Sequence, residues 1–131
     1  MTLAFLVFGH SFAQASPFQV AITFDDLPVA GDMPSGIDRD MIAKSIIGTL
    51  KEHNVPSPYG FVNGAHVKNL PELISVLQSW WEAGFPLGNR GFNHLDFATT
   101  SLANFISNAT ANESLLRDIM CNMVELAGQI C

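Results

Sequence analysis

The feature that most constrains the fold is a repeated alternation of short apolar runs with longer segments of helical periodicity. The first run is apolar almost throughout, which is typical of a strand buried on both faces of a parallel sheet. Successive strand and helix units of this kind predict a single α/β domain with a parallel sheet. The pattern predicts strands at 19–24, 59–62 and 85–87, and helices at about 38–53, 71–83 and 102–120.

Both ends of the chain differ from this pattern. Residues 3–8 form a short apolar run and Ala13-Gln14-Ala15 has the form of a cleavage site, so we expect residues 1–15 to be a signal peptide, although no basic residue precedes the run. The alternative is a buried first strand at 3–8. A signal peptide would make the protein exported, with a periplasmic or extracellular location. Residues 16–120 would then form the domain, followed by a divergent, disordered tail at 121–131.

Composition excludes several classes of partner. The chain has a formal net charge of -6 and only six Lys and Arg residues, scattered singly, whereas a nucleic-acid surface needs clustered cations. No apolar run reaches the ~18 residues that a transmembrane helix needs. The two cysteines, Cys121 and Cys131, form no spaced framework, which favours free thiols over a disulfide. We therefore expect neither nucleic-acid binding nor a membrane span.

Polar residues follow each of the three predicted strands. Asp25 and Asp26 come after the first strand, Asn63 after the second, and a loop from Asn89 to His94 after the third. The carboxyl ends of parallel strands meet at one edge of a sheet, where their loops form a common mouth. Taken singly, the aspartates could form a turn before the proline that follows, and a histidine in a Gly/Asn-rich loop is commonly a surface residue.

The combination of two motifs is more specific than any one of these residues. Thr23-Phe24-Asp25-Asp26 closes an apolar run, and one unit later Leu87-Gly88-Asn89 precedes His94. Together they resemble the first two motifs of the NodB-homology polysaccharide deacetylases, which are carbohydrate esterases. The resemblance covers roughly residues 18–120 and corresponds to the N-terminal half of such a domain.

This resemblance implies a fold, a site and a substrate. The fold would be a partial (β/α) barrel of the NodB type with about three βα units, truncated relative to the family. Asp25 would be the catalytic base, and Asp26 and His94 would bind a divalent metal, zinc or cobalt, that polarises the acetyl carbonyl and activates water. The substrate would be an acetylated polysaccharide or peptidoglycan. By family the chain would be a hydrolase that acts on non-peptide carbon–nitrogen bonds and removes N- or O-acetyl groups.

One departure from the family concerns the metal site. The second family motif is H-x-x-x-H, and Arg90 occupies the position of its first histidine. A guanidinium has no lone pair to donate, and its charge would oppose a dication by on the order of 8 kcal/mol at ~4 Å and an effective dielectric of ~20. Metal binding by Asp26 and His94 alone would be weak or absent. We expect the Arg90 guanidinium to point at Asp26 or Asp25 instead, the alternative being a side chain extended into solvent.

A second departure lies after Met120, where the later arginine and histidine motifs of the family do not follow. One edge of the sheet would stay open, which favours self-association. We therefore expect a deacetylase family member that is inactive in this chain. One alternative is a translated pseudogene fragment without a stable fold. The other is a non-catalytic carbohydrate-binding remnant that uses Asp25, Asn63, Asn89 and the tryptophans, although the helical spacing of Trp80 and Trp81 favours core and rim positions.

Overall fold

A computed structural model of the protein describes residues 18–28 and 31–126. It contains a parallel sheet of three strands in the order β1, β2, β3, with helices between and after them, which confirms the predicted partial (β/α) barrel. The predicted signal peptide at 1–15 lies outside the described residues. The strands are β1 (Thr23–Leu27), β2 (Tyr59–Val62) and β3 (Leu87–Asn89). The helices are α1 (Arg39–Glu52), α2 (Gly64–Asn69), a 3-10 turn (Pro71–Leu73), α3 (Ile74–Glu82), α4 (Leu102–Ala111) and α5 (Glu113–Leu126).

The first two long helices begin where the sequence provides a start signal. The side chain of Asp38 accepts a hydrogen bond of 2.7 Å from the backbone N–H of Met41 and so caps α1. Pro71 begins the 3-10 turn that leads into α3, because a proline at the first helical position removes an N–H that would have no partner there. The helices and the sheet enclose one core, formed by Leu50, Val62, Val67, Leu77, Trp80, Phe85, Leu87, Leu116 and Ile119.

The first strand differs from its prediction in both position and burial. Strand β1 begins at Thr23 and includes both aspartates, whereas the residues before it are exposed, Phe18 to 89% and Val20 to 68%. The expectation of a strand buried on both faces is therefore wrong. Among the described residues β1 pairs only with β2, so it lies at an edge of the sheet and has a neighbour on one side alone. Strand β3 likewise lies two residues later than predicted.

The last predicted helix is two helices that meet at Asn112. This residue is fully buried, and its side chain donates a hydrogen bond of 2.7 Å to the carbonyl of Val62 on the middle strand. An asparagine inside a helix is unfavourable because its amide competes for backbone groups, which explains a break at this position. Helix α5 then continues to Leu126, since no Gly or Pro interrupts 113–126. The boundary expected at residue 120 therefore falls inside a helix, and 127–131 lie outside the described residues.

Two further expectations concern the cysteines and the membrane. The prediction of a free thiol is wrong for Cys121, because this residue is disulfide-bonded. Cys131 lies outside the described residues. Within 18–28 and 31–126, no helix has both the length and the hydropathy that a membrane span requires.

Candidate functional site

A bulge in β1 brings two consecutive aspartates to one end of the sheet. Between Phe24 and Leu27, β1 carries one residue more than the stretch of β2 opposite it, and Asp26 has a φ of 62°. Consecutive side chains of a regular strand point to opposite faces, so an unbroken β1 would separate the two carboxylates. Phe24 and Leu27 both pack against the core, and the extra residue lets Asp25 and Asp26 emerge together between them.

Arg90 binds both of these carboxylates. Its Nε lies 2.7 Å from Asp26 Oδ1 and its Nη1 lies 2.9 Å from Asp25 Oδ2. Arg90 directly follows β3, so its side chain reaches past the end of the middle strand to the far strand. The prediction that the guanidinium points at the aspartates is confirmed, and the extended alternative is wrong. A planar guanidinium suits such a contact because its N–H groups diverge in a fixed fork.

His94 completes the cluster. Its Nε2 lies 3.3 Å from the same Oδ1 of Asp26 that Arg90 contacts, and its side chain is 57% exposed. The structure thus brings together all four residues that the sequence indicated around a metal site: Asp25, Asp26, Arg90 and His94. Both Asp26 and His94 have a left-handed backbone, with φ values of 62° and 52°, which is a conformation that non-glycine residues adopt at a cost.

The donor set of this cluster does not fit a divalent metal centre. A zinc site of this class needs three protein ligands with free lone pairs, and here Asp26 and His94 supply two. Among the described residues, no group of three His, Cys, Asp or Glu side chains is arranged to hold a metal ion. The Arg90 guanidinium contacts the carboxylate that would be the first ligand, at hydrogen-bonding distance. A metal ion that bound Asp26 through Oδ1 would have to displace this cation.

The proposed sugar-binding surface of Asp25, Asn63, Asn89 and the tryptophans is not present as predicted. Asn63 and Trp80 are each only 1% exposed, so neither can contact a glycan. Asn89 is exposed, but its side chain accepts from Gly91 N and donates to Ala109 O, at 2.7 and 2.8 Å. Trp80 and Trp81 belong to the core and its edge, as their helical spacing favours.

A mostly apolar cavity of about 190 Å³ opens beside the carboxylates, between β1, α1 and α3. Phe24, Ile42 and Trp80 contribute to its walls, and Asp25 and Asp26 lie at its polar side. Sequence reasoning missed this cavity because it depends on how α1 packs on β1. It also missed Asn112, for which an asparagine in a stretch of strong helix formers was the available signal.

Comparison with known proteins identifies what this arrangement is similar to. The profile of a family described as polysaccharide deacetylase matches residues 13–127. The Bc1960 peptidoglycan N-acetylglucosamine deacetylase has a TM-score of 0.58 and 22% identity, over 76% of this chain and 40% of that protein. The chitin deacetylase of the fungal pathogen Colletotrichum lindemuthianum has a TM-score of 0.58 and 23% identity, over 77% of this chain and 40% of that protein. No curated protein sequence matches significantly.

At these identities the structural likeness establishes the fold alone. The chain spans about 40% of the length of both solved proteins. The profile match, in contrast, extends over most of the chain.

Proposed function

The chain belongs to the polysaccharide deacetylase family, and from this premise we propose that its site binds an acetylated polysaccharide or peptidoglycan without hydrolysing it through a metal ion. The observation that carries the proposal is the double contact of Arg90 with Asp25 and Asp26. The substrate class is inferred from the family. Because the guanidinium binds both carboxylates, we propose that the site binds this substrate and does not hydrolyse it.

The obstacle to hydrolysis is chemical. An acetamide is a poor electrophile, so its hydrolysis needs a strong Lewis acid or an equivalent oxyanion site and an activated water. Arg90 carries a positive charge, but its Nε and Nη1 are already directed at the carboxylates. Asp25, the expected base, has Oδ2 occupied by that contact. The cluster therefore compensates its own charges instead of presenting them to an acetyl group.

The same cluster can still recognise a sugar. Asp25, Arg90 and His94 each expose between 32% and 57% of their side chains, so their remaining donors and acceptors face solvent. Hydroxyl and acetamide groups of a glycan can hydrogen-bond to such a mouth, and the apolar cavity next to it offers room for an aliphatic group.

The experiment measures acetate release and glycan binding on the same protein sample. With acetylated chitin, xylan or peptidoglycan fragments and added zinc or cobalt, we expect acetate release at background and weak binding that weakens further in Asp25→Ala. Metal-dependent turnover that disappears in Asp25→Ala would contradict the proposal. Absence of both binding and turnover would contradict its binding part. Asp32→Ala, at an exposed aspartate outside the cluster, is the matched control.

Two further aspects of the proposal concern location and assembly. We propose an exported protein, in the periplasm or outside the cell, and the disulfide at Cys121 supports this because disulfides persist in oxidising compartments. We also propose self-association through the open side of β1 and the segment before it, in which Phe18, Val20 and Ile22 are exposed. Sedimentation of the wild type and of Val20→Lys tests it, with a lower mass expected for the variant. A wild type that is monomeric at all concentrations would contradict it.

A further inference from the structure

The loop that carries Arg90 is hydrogen-bonded along residues 90–93. The N–H of Arg90 donates to Val62 O at 3.1 Å, and the N–H of Phe92 donates to Asn108 O at 3.0 Å. The N–H of Gly91 donates to the side chain of Asn89, and that of Asn93 to the side chain of Asn108, both at 2.7 Å. Four consecutive amides thus have partners, so this part of the loop is held by its backbone as well as by its side chains.

The N–H of Ala65 donates to Phe92 O at 3.0 Å, and asparagine side chains from two other parts of the chain provide further contacts. Asn63, after β2, donates from Nδ2 to the carbonyls of Arg90 and Gly91 at 3.3 and 3.0 Å. Asn112, between α4 and α5, donates from Nδ2 to Val62 O at 2.7 Å and to Asn89 Oδ1 at 3.1 Å. We refer to Asn63, Asn89, Asn108 and Asn112 as the asparagine clamp.

The clamp uses the amides of Asn63 and Asn112 as donors only. Both residues are at most 1% exposed, and in each of them Nδ2 is bonded whereas Oδ1 has no hydrogen-bond partner among the described residues. A buried amide oxygen without a partner is unfavourable, so the stabilising contacts of these two side chains are those made by Nδ2. Each hydrogen bond of the two side chains runs from Nδ2 to an oxygen of 89–91 or of Val62, and an aspartate of the same shape could not donate these bonds.

We infer that Asn63 and Asn112 are positioning residues for Arg90, which hold the backbone of 89–91 so that the guanidinium covers Asp25 and Asp26. The inference rests on the proposed function, because it explains how the fold keeps the carboxylates closed to a metal ion. The inference adds that buried groups on the Arg90 side of the site hold the guanidinium over the two carboxylates. The clamp residues themselves touch neither carboxylate.

The test measures solvent exchange of the Arg90 Nε–H by nitrogen-15 NMR, without substrate or metal. The chain has three arginines, so Arg90→Lys assigns the signal and the exposed Arg117 is an internal reference. In the wild type we expect the Arg90 Nε–H to exchange about tenfold more slowly than that of Arg117. In Asn63→Ala and in the isosteric Asn112→Asp, we expect most of this difference to disappear.

The controls separate positioning from general destabilisation. The indole N–H of Trp80, in the core, should be unchanged in each variant, and Asn69→Ala, at an exposed asparagine of α2, should leave the Arg90 signal as in the wild type. Clamp variants that keep the Trp80 signal and also keep slow Arg90 exchange would overturn the inference. A purely structural role would lower stability without changing the exchange of Arg90 relative to Trp80.

A second measurement applies if the variants do not fold. In the wild type, the backbone amides of 90–93 should exchange as slowly as that of Val62 in the core. Exchange as fast as that of the exposed Leu95 and Phe97 would overturn the inference. Neither readout depends on acetate release, so a wild type that hydrolyses a glycan would refute the proposed function and leave the clamp to be judged separately.

Discussion

The two sides of the site are held in different ways. On the β1 side, Asp25 and Asp26 lie on an edge strand, their side chains are 46% and 35% exposed, and the residues before them are open to solvent. On the β3 side, Asn63 binds the carbonyls of Arg90 and Gly91, Asn112 binds the side chain of Asn89, and both asparagines are buried. The two carboxylates therefore lie on the exposed side of the site, and the guanidinium of Arg90 lies on its well-packed side.

This difference shows which interactions specify the site. The ion pairs of Arg90 are partly exposed, and an exposed pair contributes about 0 to 1 kcal/mol, because water screens it and two side chains lose freedom. A buried hydrogen bond is worth a similar net amount, but removing one partner leaves a desolvated group at a cost of about 1 to 3 kcal/mol. The proposed positioning role of Asn63 and Asn112 implies that the position of Arg90 depends on the asparagine clamp more than on the attraction of the carboxylates.

The largest expected effect on stability is that of Asn112→Ala. The change removes two hydrogen bonds from a fully buried residue and leaves a cavity between α4, α5 and β2, so we expect a loss of about 3 kcal/mol in the free energy of unfolding. Denaturant unfolding measures it. Asn69→Ala, on the surface of α2, should change stability by less than about 0.5 kcal/mol. Equal losses of unfolding free energy in the two variants would contradict the expectation that the asparagine clamp contributes more to stability than a surface asparagine.

Gly91→Ala has the next largest expected effect. Gly91 has a φ of 85°, and an added Cβ would lie 2.6 Å from Nδ2 of Asn108 in the clamp. Gly36 has a φ of 79° with open space around it, so Gly36→Ala reports the backbone cost alone, about 1 kcal/mol. We expect Gly91→Ala to cost about 1 kcal/mol more than its control, from the displacement of the clamp. The difference between the two unfolding free energies measures this, and a difference of zero would mean that the loop yields freely.

Asp26→Asn is expected to have the smallest effect. The carboxylate is 35% exposed, so the loss of its ion pair with Arg90 should cost less than about 1 kcal/mol after screening by solvent. Thermal unfolding at low and high salt measures the effect, which should shrink as salt increases. Asp32→Asn is the matched exposed control. A loss larger than that of Asn112→Ala would reverse the comparison between the two sides.

The middle of the fold could be predicted because its sequence signals are local. Strand β2 has the predicted bounds, 59–62, and α1, at Arg39–Glu52, lies within one residue of the predicted 38–53 at each end. Burial on β1 could not be predicted, because whether an apolar run is covered depends on how many strands surround it. The break at Asn112 was missed for a related reason, since the contact that favours it lies fifty residues away at Val62.

The sequence predicted which residues form the candidate site, but not which residues hold them in place. The motif around Asp25 and Asp26 and the spacing to Arg90 and His94 identified four residues that the structure places together. The bulge that turns both carboxylates to one side could not be predicted, because the pattern of apolar residues in the strand does not indicate it. The clamp was invisible for the same reason, because four asparagines acquire a common role only when three segments meet.

The most direct test of the account is a calorimetric titration of zinc into the wild type and Arg90→His. In the proposed site Arg90, fixed by the asparagine clamp, occupies the place of a metal ion on Asp26. We therefore expect no measurable zinc binding by the wild type and an affinity at least about tenfold higher in the variant, where one carboxylate and two imidazoles can bind the ion, without acetate release. Stoichiometric zinc binding by the wild type that disappears in Asp26→Asn would contradict the account.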